Sequence, residues 1–195
     1  MFAWLKSLFA PTSQQPPQPS PSPQLEMIRD TLDDLPEIRI PEGYAVRTFR
    51  PGDEAAWCHI MEGHVGKNWT VEKCREKLIQ DPRFQSENLF FITCGETPVA
   101  SVCAWSSDSA GPKTGIVHMV SALPEHRGKG LGHLLNALVL HRLKDLGYEK
   151  AYLLTDDWRL PAVKSYLTAG FRPLNTHESH PERWEAVFAK LGIEA

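Results

Sequence analysis

Nothing in the 195-residue chain spaces cysteine for a metal or a covalent staple. The four cysteines, Cys58, Cys74, Cys94 and Cys103, form no C-x-x-C pair. They fall in segments that read as helix or strand, so they are expected as buried thiols of a reducing, cytoplasmic compartment. No apolar run approaches the roughly 20 residues that span a bilayer, so no membrane partner is expected. There is no surplus of positive charge: 21 Lys and Arg against 24 Asp and Glu give a formal net charge of −3. That balance excludes the electrostatic footprint of a nucleic-acid binder. No internal repeat is visible, and the start lacks the basic end, long apolar core and cleavage site of a secretory leader.

What is present is globular composition, 42% hydrophobic and 23% charged. The exception is the N-terminus. "MFAWLKSLF" is followed by "PTSQQPPQPSPSPQ", which holds only Pro, Gln, Ser and Thr and has no apolar surface to bury. Residues 1–24 are therefore expected as a disordered tail, and residues 25–195 as one folded domain.

The domain alternates strands and helices. "LEMIRDTLDDL" reads as a short helix ending before Pro36. "YAVRTFR" alternates as a strand, and "GDEAAWCHIMEGHV" and "TVEKCREKLIQ" follow as helices, with Thr70 as N-cap of the second. "NLFFITCG" and "TPVASVCAWSS" form a hairpin, and "TGIVHMVSALP" is the next strand. Leu131, Leu134, Leu135, Leu138, Val139, Leu143 and Leu146 make one helical face, stopped at Gly147. "KAYLLT" shows little polar alternation and reads as a strand buried on both faces. A helix over 160–170, a short strand at "FRPL" and a helix over 181–192 complete the order. Strand 114–124, helix 129–146 and strand 150–155 make a βαβ unit with parallel strands, and the fold class is α/β with a mixed sheet.

The densest signal is "HRGKGLGH", with glycines at 128, 130 and 132 flanked by Arg127 and Lys129. A glycine turn between a strand and a helix exposes the helix's first unpaired N–H groups and lets an anion approach them. Two specific phosphate loops fail on spacing. The dinucleotide pattern G-x-G-x-x-G finds His at 133, and the triphosphate loop G-x-x-x-x-G-K-[ST] finds Gly130 after Lys129.

"RGKGLG" resembles the R/Q-x-x-G-x-G/A signature of the GNAT superfamily of acyl-CoA-dependent N-acyltransferases, as Arg127, Gly130 and Gly132. "AVKSYLTAGF" is similar to that family's following segment, through Ala162, Tyr166, Gly170 and Phe171. The resemblance covers about residues 42–176, and its wording is closest to the mycothiol-synthase-like branch. It implies acetyl-CoA as acyl donor, with its pyrophosphate on Arg127, Gly128, Lys129, Gly130, Leu131 and Gly132. The pantetheine arm is implied against the backbone near Ala122 and Leu123, where two parallel strands splay. Direct transfer to a primary amine of a small molecule or peptide is implied, by a monomer or homodimer. The alternative is a non-catalytic acyl-CoA-binding regulatory domain. Tyr166 matches the family's general acid. A phenol near pKa 10 can protonate a leaving thiolate near 8.5; packing on an amphipathic helix is the competing reading. His118, on the cleft strand, is the candidate base, beside a structural role or a water chain. The resemblance has two gaps. The family's Asn before the tyrosine is missing near Trp158–Leu160, with Arg159 in its place. The final strand pair also looks incomplete after "FRPL".

Asn68 and Trp69 lie in the loop expected on the acceptor side, either to touch substrate or to anchor helix to sheet. Asp156 would attract a cationic amine or start a helix. His177, Glu178 and His180 lack the spacing and third ligand of a zinc site, and no metal is expected.

Overall fold

The structure, a computed structural model, describes residues 22–107 and 110–193. The expected disordered tail lies outside the described residues as far as position 21. In chain order the elements are β1 (Leu25–Arg29), β2 (Tyr44–Thr48), α1 (Glu54–Met61), α2 (Val71–Cys74), β3 (Leu89–Cys94), β4 (Thr97–Trp105), β5 (Thr114–Ala122), α3 (Leu131–Asp145), β6 (Lys150–Thr155), α4 (Leu160–Thr168), β7 (Arg172–Leu174) and α5 (His180–Leu191). The strands form one mixed sheet in the order β2-β3-β4-β5-β6-β1-β7. The pair β5–β6 is parallel and the other pairs are antiparallel. This is the mixed α/β architecture the pattern predicts.

The core lies on β4, whose residues from Val99 to Trp105 are buried without a break. An unbroken buried run means both faces are covered, here by α1 and α3. On α3 six of the seven expected stripe residues are buried; Leu146 alone stands 38% exposed. Thr70 caps α2 as expected, its Oγ1 accepting from Lys73 N at 3.2 Å. Past Cys74 that helix widens into a π turn, Arg75–Ile79.

Three expectations are corrected. The segment 25–35 opens as a strand, not a helix. Leu25, Met27 and Arg29 are buried while Glu26 and Ile28 are half-buried, a period of two. β1 pairs with β6 on one side and β7 on the other, and these ladders outweigh local helix preference. It thereby supplies the strand that looked missing after "FRPL": the last strand pair is completed from the N-terminal end. β6 is not buried on both faces, because Leu154 is 47% exposed beside an open cleft. Cys94 is exposed at the end of β3, unlike Cys58, Cys74 and Cys103. Burial pushes the Cys74 and Cys103 thiols up to about 12, which leaves them protonated and unreactive.

Candidate functional site

The site is made by strands that part. β5 and β6 pair only over Thr114–Ile116 and Lys150–Tyr152. Beyond that, β5 carries a bulge: its register with β4 shifts between Ser121 and His118, and Met119 takes a left-handed φ of 54°. The bulge bends β5 away from β6 and opens a cleft at the strands' C-terminal ends.

Leaving β6 exposes backbone groups on that edge of β5. Leu123 N donates to Val99 O at 2.9 Å, so Leu123 faces β4. By alternation Ala122 and Val120 face the cleft. Both of their carbonyls are covered by arginines: Arg127 Nε donates to Ala122 O at 3.2 Å and an Arg159 N–H to Val120 O at 2.8 Å. Arg159 thus reaches a strand carbonyl from the place where an Asn was missing.

Two cavities open from this cleft. The first, about 760 Å³, is bordered by Ala122, Arg127, Gly128, Gly130, Leu131 and Gly132, and further on by Asn136 and Ser165. Gly128 and Gly130 adopt φ of 74° and 81°, which wraps the chain so that α3 begins with its free N–H groups toward the cavity. Gly132 serves close packing instead: a Cβ there would stand 3.1 Å from Ser165 Oγ. The expectation for Leu123 and Lys129 is corrected. Leu123 is paired to β4, and Lys129, exposed between the two left-handed glycines, stays off the cavity wall.

The second cavity, about 510 Å³, lies toward β6 and is bordered by Trp105, His118, Tyr152, Leu154 and Asp156. Gln24, just before β1, donates to Asp156 Oδ1 at 3.0 Å, so β1 also delivers part of this wall. His64, Val120, Trp158, Arg159 and Tyr166 border both cavities and mark where they meet. Tyr166 is 2% exposed and packs edge-on to Phe171 at 6.1 Å. Its hydroxyl makes no hydrogen bond among the described residues. Burial raises its pKa, as does Asp156, while Arg159 opposes them.

His118 borders the second cavity alone and stacks on Trp105 at 5.4 Å. Burial, then the Arg83 charge, hold its pKa down at about 4 against Asp81. An unfolded chain binds that proton near 6.5, so between about 6.5 and 4 the unfolded state takes up a proton that the folded state refuses. Stability is expected to be fully present above 6.5 and to fall as pH drops toward 4. His118→Gln should flatten the slope in denaturant titrations across that window. An unchanged slope would remove the assignment.

Asn68 and Trp69 border neither cavity. Asn68 is exposed, and Trp69 anchors the loop, its Nε1 donating to Val65 O at 2.6 Å and its ring meeting Trp57 at 4.8 Å. The loop reaches the cleft through His64, Val65 and Gly66 instead. His180 is fully buried and packs beside His177 at 5.7 Å, where α5 begins. Among the described residues no group of three His, Cys, Asp or Glu side chains could hold a metal, and no helix is long and apolar enough to cross a membrane. Sequence reasoning missed His64, Val120 and Trp158. Strand parity alone points to Val120 facing away from β4, but the bulge that opens the cleft leaves no mark in residue type.

Known proteins resemble this chain in sequence and in fold. The family described as Acetyltransferase (GNAT) family matches residues 53–171. A protein named mycothiol acetyltransferase from Streptomyces bingchenggensis is 35% identical over 148 residues, covering 73% of this chain and 47% of that one. Another of that name, from Thermobispora bispora, is 33% identical over 155 residues, covering 74% and 52%. The chain spans about half the length of the curated relatives it matches. A crystal structure of a GCN5-related N-acetyltransferase from Sphaerobacter thermophilus superposes with a TM-score of 0.65 at 24% identity, covering 78% of this chain and 50% of that one. It shares the fold.

Proposed function

The chain belongs to the acetyltransferase (GNAT) family, and from that premise we propose that it moves an acetyl group from acetyl-CoA to a primary amine within one ternary complex. The observation that carries this reading is the meeting of two cavities at Tyr166. One cavity ends on a glycine turn suited to a pyrophosphate and the other opens beside β6.

The donor would lie in the first cavity, its pyrophosphate on the amides of Gly128, Gly130, Leu131 and Gly132, with Arg127 supplying positive charge. Its pantetheine amides would pair with β5 at Val120 and Ala122, taking over carbonyls that Arg159 and Arg127 now cover. The acceptor would enter the second cavity, past Asp156 and the exposed Trp158. The amine nitrogen attacks the thioester carbonyl, a C–N bond forms, the C–S bond breaks, and Tyr166 gives its proton to the departing thiolate. The amine's own proton leaves through a cleft histidine or water; His118 is the histidine on β5. Cys74 and Cys103 are fully buried, which fits direct transfer without an acyl-cysteine stage. The relatives' name makes the mycothiol scaffold without its acetyl group the first acceptor to try.

The test is release of CoA thiol with acetyl-CoA and a panel of small-molecule and peptide amines. Turnover on at least one amine is expected. Tight acetyl-CoA binding with no turnover on any of them would overturn this reading in favour of a non-catalytic acyl-CoA sensor. The donor site has its own test. At Gly130 a side chain would have to sit at φ 81°, which costs about 1–2 kcal/mol. Gly130→Ala should weaken acetyl-CoA binding about tenfold by calorimetry. Equal affinity would mean the turn does not hold the donor.

A further inference from the structure

A reaction between two bound substrates happens where their cavities join, and the groups that move its protons must stand there. Five residues border both cavities. Val120 and Trp158 have no titratable group, and the Arg159 guanidinium has donors but no acceptor atom. That leaves Tyr166 and His64. His118, on the strand face expected to carry the base, borders the second cavity only.

We infer that His64, on the loop after α1, takes the acceptor amine's proton while Tyr166 supplies the proton to sulfur. The inference rests on the acetyltransferase reading above and names a residue for a step that reading leaves open. The loop is held firmly. Its backbone is closed by His64 N and Val65 N donating to Met61 O at 3.0 and 2.8 Å. Glu62 is occupied elsewhere, accepting from Asn68 N at 3.0 Å and Trp69 N at 2.8 Å. The His64 imidazole itself has no hydrogen-bond partner among the described residues, so a ring nitrogen is free for an amine or its water. The charges that act on it from the facing elements are Arg127, on the glycine turn, and Arg159, before α4. Tyr166 on α4, His126 at the turn and His133 on α3 are the other titratable groups lining the first cavity, and Arg83, His118, Tyr152 and Asp156 line the second.

Burial and the two arginines hold the ring below its ordinary pKa of 6.5, neutral and ready to accept. An anionic donor against Arg127 offsets one of those arginines. Donor binding should therefore raise the affinity of His64 for a proton just when the amine has to lose one. The protons balance: the amine's goes to His64 and on to solvent, and Tyr166 recovers its own from solvent.

The inference is tested on the full chain in two ways. With CoA itself as the probe, the His64 ring resonance should titrate below 6.5 in the free protein and at higher pH when CoA is bound. No change on CoA binding overturns the coupling. With acetyl-CoA and the fastest amine among benzylamine, glucosamine and a dipeptide, His64→Gln should lower kcat about 100-fold with the acetyl-CoA KM little changed. Added imidazole should restore part of the rate, and the acid limb of the pH profile should disappear. His64→Asn, smaller than the native ring, checks that the loss is not a packing defect. Turnover that survives in His64→Gln with its acid limb intact overturns the assignment and leaves acetyl transfer standing. CoA binding with no turnover in the native chain overturns the acetyl-transfer reading itself, and this assignment with it.

Discussion

Tyr166→Phe is expected to lower kcat by about 100-fold or more, the ordinary size of a lost general acid, while acetyl-CoA binding stays within about twofold. Tyr166 is 2% exposed, packs against Phe171, and borders both cavities. Removing its oxygen leaves that packing intact, because the ring carries it. What disappears is an O–H group with no partner among the described residues, at the junction where sulfur must depart. Burial raises its pKa, so the phenol stays protonated through the working range. A raised pKa makes it a weaker acid, but a thiolate leaving a desolvated site is also a stronger base than in water. The measurements are steady-state thiol release and calorimetric titration with acetyl-CoA. A fall in affinity that matches the fall in turnover would recast Tyr166 as a binding residue. Unchanged turnover would remove it from the chemistry.

The largest effect on stability is expected from β1. A chain starting at Thr31 should fail to unfold cooperatively, while one starting at Ser22 should keep the melting temperature of the full protein. Leu25 and Met27 are both fully buried, and emptying such sites costs about 2–5 kcal/mol each. Their sum is comparable to the 5–15 kcal/mol that holds a domain folded. The strand also stands between two others, so its loss breaks the ladders to β6 and to β7 and leaves two raw edges. Arg29 adds a tie from this strand to the end of α4, donating to Ala169 O. A milder version separates folding from edge exposure: Met27→Ala should lower stability by about 2–5 kcal/mol in denaturant titration with the sheet still formed. Because Gln24 contacts Asp156 at the second cavity, the truncated chain should lose acceptor turnover along with stability. A chain starting at Thr31 that melts normally would show that β1 is dispensable.

The residues show why some of this was legible and some not. The seven-residue stripe of α3 is a local repeat at helical spacing, and it names its own buried face. The turn at Gly128–Gly132 was readable because glycine, with no Cβ, is the residue that tolerates φ of 74° and 81°, so residue type reports backbone shape. Tyr166 was found through its match to a family segment. β1 was misread because "LEMIRDTLDDL" carries a helical bias, and its neighbours in the sheet come from more than a hundred residues further along. The family resemblance implies Lys129 and Leu123 on the donor. The turn and the β4 ladder carry them away from the cavity.

By itself, then, the sequence determined the class of fold, the phosphate-type turn and the family, since each depends on spacing within a short window. Tertiary structure alone decided how the cleft is opened and closed. A single extra residue in β5, with no signature in composition, bends that strand from β6 and opens the cleft. The histidine that reaches the junction comes from a loop after α1, and the strand that closes the far side comes from the N-terminal end. Contacts between distant segments have no period to read, because packing free energy, not local propensity, chooses them.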